Sequence, residues 1–243
     1  MSDSDVPTKK RKKSKKKGKK KLPRKIIVLE NKEKSQFKDE WYEGRDPLDL
    51  PRPFRCVLSG PPSSGKSMII KNIMARGDWD EVYLIHLDDS TIEYDDIDIA
   101  YQSTELPPLE MLKGSRDINK LLICEDLLLN QMSKQEIFNL DRLFGNVSSH
   151  SNVSIFWTSQ DPLSIPLSAR RMANVFLLWK QNDHIALQLM CKRTGQTSET
   201  FGKFFRHCKT PHDFIMLDCT ANTPFPIRLN GYQMLSEDGS FKN

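Results

Sequence analysis

Short apolar runs recur along this chain and are separated by polar, glycine-bearing stretches. The runs at 55–60 (RCVLSG), 81–87 (EVYLIHL), 120–129 (KLLICEDLLL), 152–160 (NVSIFWTSQ) and 175–180 (VFLLWK) read as buried strands. Between them the period lengthens. Residues 65–77 (GKSMIIKNIMARG) carry apolar side chains at Met68, Ile69, Ile73 and Met74, a helical spacing, with Gly77 at a natural stop. Residues 133–150 open with Ser133 and Glu136, the spacing of a capping box, and continue as one amphipathic helix. Residues 167–174 form a short helix, 183–195 fit strand or helix, and 198–208 (SETFGKFFRHC) fit a helix whose aromatics face the core. The segments 212–220 and 225–232 suggest a terminal strand pair around 221–224. An acidic, irregular stretch at 88–110 predicts a short edge strand, and its acids at 88–98 predict a solvated surface loop. Strands alternating with helices imply an α/β fold, a mostly parallel sheet with helices on both faces.

Charge changes the picture at the N-terminus. Residues 1–25 hold thirteen Lys or Arg and two acids, whereas the remainder holds 24 bases against 30 acids. The net charge of +5 therefore combines an acidic body with a very basic arm. A block of like charge does not pack, so 1–25 is expected to be a disordered tail that binds nucleic-acid phosphates or directs nuclear import. Residues 26–54 read as an approach segment, proline-rich at 46–54, residues 55–232 as the folded domain, and 233–243 as a C-terminal tail. Five scattered cysteines without a C-x-x-C pair fit free buried thiols in a reducing compartment. No run reaches the length of a membrane span, so no membrane partner is expected.

The candidate chemistry starts where the first strand ends. Residues 58–70, LSGPPSSGKSMII, fit G-x-x-x-x-G-K-[ST] without a mismatch, between a predicted strand and a predicted helix. Gly60 and Gly65 leave room beside the main chain for phosphate oxygens. Pro61 and Pro62 bring no N–H and shape the loop, so donors come from Ser63 and Ser64 onward, at the start of a helix whose dipole favours anions. Lys66 can reach the terminal phosphates, and the Ser67 hydroxyl can ligate Mg²⁺. The loop is thus a triphosphate cradle, the mark of a P-loop NTPase.

Hydrolysis also needs carboxylates. Residues 121–124 deliver Glu125 and Asp126 to a strand end, where ligands sit in open α/β sheets. One acid would hold the metal and the other orient the attacking water. The usual order is Asp then Glu; here it is reversed, which gives Glu125 the metal role and Asp126 the water role, and leaves the division open. The next strand ends in WTSQ, so Gln160 reaches the same sheet edge as a sensor of the terminal phosphate, assisted by Thr158 and Ser159.

The order of these landmarks resembles the FtsK–HerA superfamily of P-loop ATPases. It is similar in particular to the genome-packaging ATPases of poxviruses, other large eukaryotic DNA viruses and virophages, over residues 54–232. The stretches 143–160, 165–180 and 212–220, the last followed by Arg228, carry the likeness beyond the loop. The resemblance implies a homo-oligomeric ring that hydrolyses ATP with Mg²⁺ and moves double-stranded DNA into a capsid through its portal or vertex. It implies work in the host cytoplasm, at a viral factory, or in the nucleus, and a place in the virion. Relatives carry Arg-His before the strand that ends in Ser-Gln, and this chain has Ser149 and His150. If that arginine is a trans-acting finger, its substitutes here are Arg170 or Arg171, ahead of Arg142. Two other functions remain open to this sequence: a P-loop kinase, which product analysis would reveal, and a non-enzymatic, basic-tailed DNA-binding protein, against which the intact Lys66, Ser67 and acids argue. A zinc site at His207, Cys208 and His212 lacks a second ligand pair.

Overall fold

The computed structural model describes residues 50–242 apart from 89–92, 96, 128–131, 182, 222 and 224, with His184 and Leu187 described in backbone only. The basic arm and most of the approach segment lie outside the described residues.

Among the described residues nine strands form one sheet: β1 (Arg55–Ser59), β2 (Glu81–His86), β3 (Tyr101–Ser103), β4 (Lys120–Glu125), β5 (Val153–Ser159), β6 (Val175–Trp179), β7 (Phe214–Asp218), β8 (Ile227–Leu229) and β9 (Gln233–Met234). Their order is β3-β2-β4-β5-β1-β6-β7-β8-β9. The first six neighbours run parallel, and β7, β8 and β9 add antiparallel. β5 lies between β1 and β4, so the strand with the phosphate loop and the strand with the acids are next-but-one neighbours. Parallel strands end at one edge, and that edge collects the loops after β1, β4 and β5.

Among the described residues seven α-helices accompany them: α1 (Lys66–Arg76), α2 (Leu109–Leu112), α3 (Lys134–Arg142), α4 (Ser148–His150), α5 (Leu167–Met172), α6 (His184–Thr194) and α7 (Ser198–Phe205). Period-two alternation splits each central strand between two cores. On one face Cys56 and Leu58, Leu121 and Ile123, and Val175 and Leu177 pack with Ile70, Ile73 and Met74 of α1. On the other, Val57, Leu122, Ile155, Trp157 and Phe176 pack under Leu140, Ala169, Met190, Phe201 and Phe204 from α3, α5, α6 and α7. Each fully buried large side chain contributes about 2 kcal/mol of transfer free energy. The expected α/β fold, mostly parallel and covered on both faces, is what the chain adopts.

Particular segments refine the expectation. Ser133 and Glu136 form the capping box of α3. The helical path runs on to 150 as expected, but through a π-helical segment, Leu143–Val147, centred on Gly145, where an added Cβ would lie 3.3 Å from the Met172 sulfur. Residues 183–195 are helical, with Asp183 as N-cap and Gly195 in the left-handed region as C-cap. Phe201, Phe204 and Phe205 do face the core. Met68, taken as part of the apolar face of α1, is 62 % exposed, and Ile70 takes the buried place. The packed unit also exceeds 55–232. Leu50 and Phe54 are buried against the α1 face, and the presumed C-terminal tail supplies β9 and the buried Leu235, which bridges to Phe241. Apolar side chains after the turn at Gly231 give that segment something to bury. All five cysteines are free thiols. Among the described residues no helix is long and apolar enough to cross a membrane.

Candidate functional site

The loop between β1 and α1 is shaped by close approach. Gly60 N–H donates to the Ser159 carbonyl, and a Cβ on Gly60 would sit 2.8 Å from Trp179 Cβ. Ser63 and Gly65 take left-handed backbone angles, φ 57° and 96°. Gly65 is the N-cap of α1, so no side chain caps this helix, and its first turn holds no acid. Its leading N–H groups therefore face outward with the positive end of the helix dipole behind them. Ser64 Oγ is buried without a hydrogen-bond partner among the described residues. Lys66 is only 9 % exposed, and its ammonium donates to the carbonyls of Gly60 (2.9 Å) and Pro61 (3.0 Å). Burial pulls its pKa below the ordinary lysine value, against the opposing pull of Asp126 and Glu125. Uncapped amides, an orphaned hydroxyl and a cation folded over its own loop together form a cradle suited to an anion.

The two acids face different partners. Glu125 closes β4, paired in register with His86 of β2, and is 4 % exposed. Tyr94 Oη donates to its Oε1 (2.9 Å), the Ser67 hydroxyl bonds the same carboxylate, and His86 Nε2 stands 3.9 Å from Oε2. Burial pushes this carboxyl above the usual range, and the hydrogen bonds from Tyr94 and Ser67 work against that. Asp126 has a left-handed backbone, φ 47°. Its N–H donates to Thr158 Oγ1 (3.1 Å), and its Oδ2 accepts from Gln160 Nε2 (3.1 Å). The strained turn thus divides the pair: Glu125 meets Ser67, and Asp126 meets Gln160.

Between loop and acids lies a cleft of about 390 Å³, lined by residues 62–68 on one side and by Glu125, Asp126, Thr158 and Gln160 on the other, with His86 and Glu93 alongside. The structure therefore brings together Lys66, Ser67, Glu125, Asp126 and Gln160 as the sequence anticipated. His86, Glu93 and Tyr94 were missed. The acidic stretch at 88–98 keeps its described acids Asp88, Glu93, Asp95 and Asp98 exposed, as a solvated loop requires, but its Tyr94 is buried and its Glu93 lines the cleft. Its high charge masked one apolar ring.

Arg170 and Arg171 stand apart from this cleft, in the last turn of α5. Arg171 is exposed; Arg170 is half-buried near Arg193 and Asp161, and burial lowers its pKa. Arg142 ends α3, 5.9 Å from the Phe138 ring. Ser149 lies ahead of β5 at the opposite sheet edge, where it accepts from Arg55. His207 bonds the Gly239 carbonyl and His212 the Ser64 carbonyl, so the two point to different partners. Among the described residues no three His, Cys, Asp or Glu gather as a metal cage. Ser67 and Glu125 fit instead the sparse protein ligation typical of Mg²⁺ bound with substrate phosphates.

The sequence matches no protein-family model, and it matches no curated protein. Solved structures do match. The genome packaging NTPase B204 of Sulfolobus turreted icosahedral virus 2, in complex with sulfate, superposes with a TM-score of 0.51 at 13% identity, over 72% of this chain and 94% of that one. Its complex with AMP gives 0.51 at 15%, over 72% and 95%. B204 of Sulfolobus turreted icosahedral virus, described as a DNA-packaging ATPase, gives 0.51 at 14%, over the same shares. The chain has the α/β P-loop NTPase fold of these proteins.

Proposed function

We propose that this chain is an ATP-hydrolysing motor that drives double-stranded DNA into a viral capsid, working as a homo-oligomeric ring at the portal or vertex. The observation that carries the reading is the divided acid pair: Glu125 bonded to Ser67 of the phosphate loop, and Asp126 bonded to Gln160 across the same cleft. The shared fold with B204 and the basic arm support the packaging part of it.

In this mechanism the α1 amides and Lys66 bind the phosphates, with the ammonium leaving the Gly60 and Pro61 carbonyls for them. Ser67 and Glu125 would hold Mg²⁺, which supplies positive charge beside the terminal phosphates. Asp126 accepts a hydrogen bond from the attacking water, and the Gln160 amide fixes the carboxylate that does so. When the terminal phosphate departs, Gln160 and Asp126 lose a shared neighbour, and the loops after β4 and β5 can shift together. Arg170 or Arg171 of an adjacent subunit supplies charge to the transition state. The basic arm grips phosphates without reading bases, or imports the chain to the nucleus; assembly otherwise takes place in the host cytoplasm.

The test is hydrolysis by the purified full chain. ATP turnover to free phosphate, stimulated by linear duplex DNA and abolished by Lys66→Ala, supports the motor. Turnover indifferent to duplex overturns translocation, and a phosphorylated acceptor in place of free phosphate makes the chain a kinase.

A further inference from the structure

Tyr94 belongs to an acidic segment, yet it is 1 % exposed and packs in the core beside Ile70, Leu84 and Ile123. Its ring lies 5.4 Å from the Lys71 ammonium on α1. Its hydroxyl donates to Glu125 Oε1 at 2.9 Å, beside the Ser67 side chain. The phenol, the serine and the carboxylate thus form a closed polar cluster walled by apolar side chains. A buried carboxylate on a flexible stem holds one orientation only where donors fix it. Tyr94 supplies the donor on one oxygen, and Oε2 faces toward His86.

We propose that Tyr94 is a positioning residue: it fixes the Glu125 carboxylate and the Ser67 hydroxyl in the orientation that receives a divalent cation. This rests on the proposed nucleotide site and adds to it a partner from outside the phosphate loop and the acidic strand. Groups that hold metal ligands from behind commonly govern metal affinity by 10- to 100-fold. The ring itself is placed by Lys71 and the apolar wall, so removing the hydroxyl alone separates positioning from packing.

The experiment uses the full chain, ADP, and Mn²⁺ as a paramagnetic probe, with bound metal read by electron paramagnetic resonance. Tyr94→Phe is expected to weaken Mn²⁺ binding to the ADP complex about tenfold or more. Its ADP affinity in EDTA should stay near that of the wild type. Wild-type Mn²⁺ affinity in Tyr94→Phe overturns the proposal. So does an equal loss of ADP affinity without metal, which marks a packing role. A wild-type chain that binds no ADP even without metal fails at the nucleotide site itself and removes both readings.

Discussion

The Gln160 side-chain amide, just past the end of β5, donates to the Asp126 carboxylate, just past the end of β4, at 3.1 Å. Two adjacent parallel strands are therefore linked at the edge where the phosphate loop opens. If the pair acts as one unit on the attacking water, its variants will not add. Asp126→Asn is expected to lower kcat by about 10²-fold or more, Gln160→Ala by about tenfold, and the double variant by little more than the first. Steady-state kinetics decide it; independent, multiplying losses would show that the two groups act separately.

Lys66 pays for its position with desolvation, since it is 9 % exposed and bonded to neutral carbonyls. Lys66→Met keeps the stem and removes the buried charge. It is expected to abolish ATP binding while leaving the melting temperature equal to or above that of the wild type. Calorimetry and nucleotide titration on one sample check both halves.

Two glycines are expected to respond oppositely to the same substitution. Gly60→Ala drives a methyl to 2.8 Å from Trp179 Cβ and should cost about 1–3 kcal/mol along with nucleotide affinity. A Cβ on Gly202, in the exposed middle of α7, meets nothing within 4 Å, so Gly202→Ala should gain about 0.5–1 kcal/mol. Chemical denaturation measures each.

An arginine that works across a subunit boundary can be complemented. Arg171 is exposed on α5 and lines no part of its own chain's cleft. Arg171→Ala is expected to lose about 10³-fold in turnover. Mixing it with inactive Lys66→Ala subunits should restore part of the rate, because some interfaces then hold an intact loop and an intact arginine. No recovery in either this mixture or its Arg170→Ala counterpart would exclude both residues.

Asp213 braces the loop whose His212 touches Ser64. Burial pushes its carboxyl up, but hydrogen bonds from the Thr210 and Lys209 backbone and the Asn230 amide outweigh this and hold its pKa below the ordinary value. A depressed carboxylate pKa stabilises the fold above the unfolded value, near 4, and that contribution fades as pH falls through the folded value. Asp213→Asn should therefore melt lower than the wild type at pH 7, with the gap narrowing below about pH 4. Melting curves across that range test it.

Much of this site could be read because its chemistry sits at places the sequence marks. Residues 121–124 are apolar, so the acids after them had to emerge at a strand end, and Gln160 follows by the same logic. Asp183 and Gly195 bracket α6 as caps, yet the run of apolar residues between them also suited a strand, and only tertiary packing decided. Tyr94 was hidden because burial of one ring inside a charged segment leaves no periodic trace. The division of Glu125 from Asp126 depends on a left-handed angle at a residue other than glycine, which composition does not announce.

β1 has four strands on each side of it in the sheet. A push delivered to the phosphate loop therefore enters at the middle of the sheet, with no outer strand beside it. Load applied there is shared laterally through the hydrogen-bonded ladder on both sides before it meets an outer strand, which makes the centre of the sheet the place where a nucleotide's arrival disturbs the most neighbours at once.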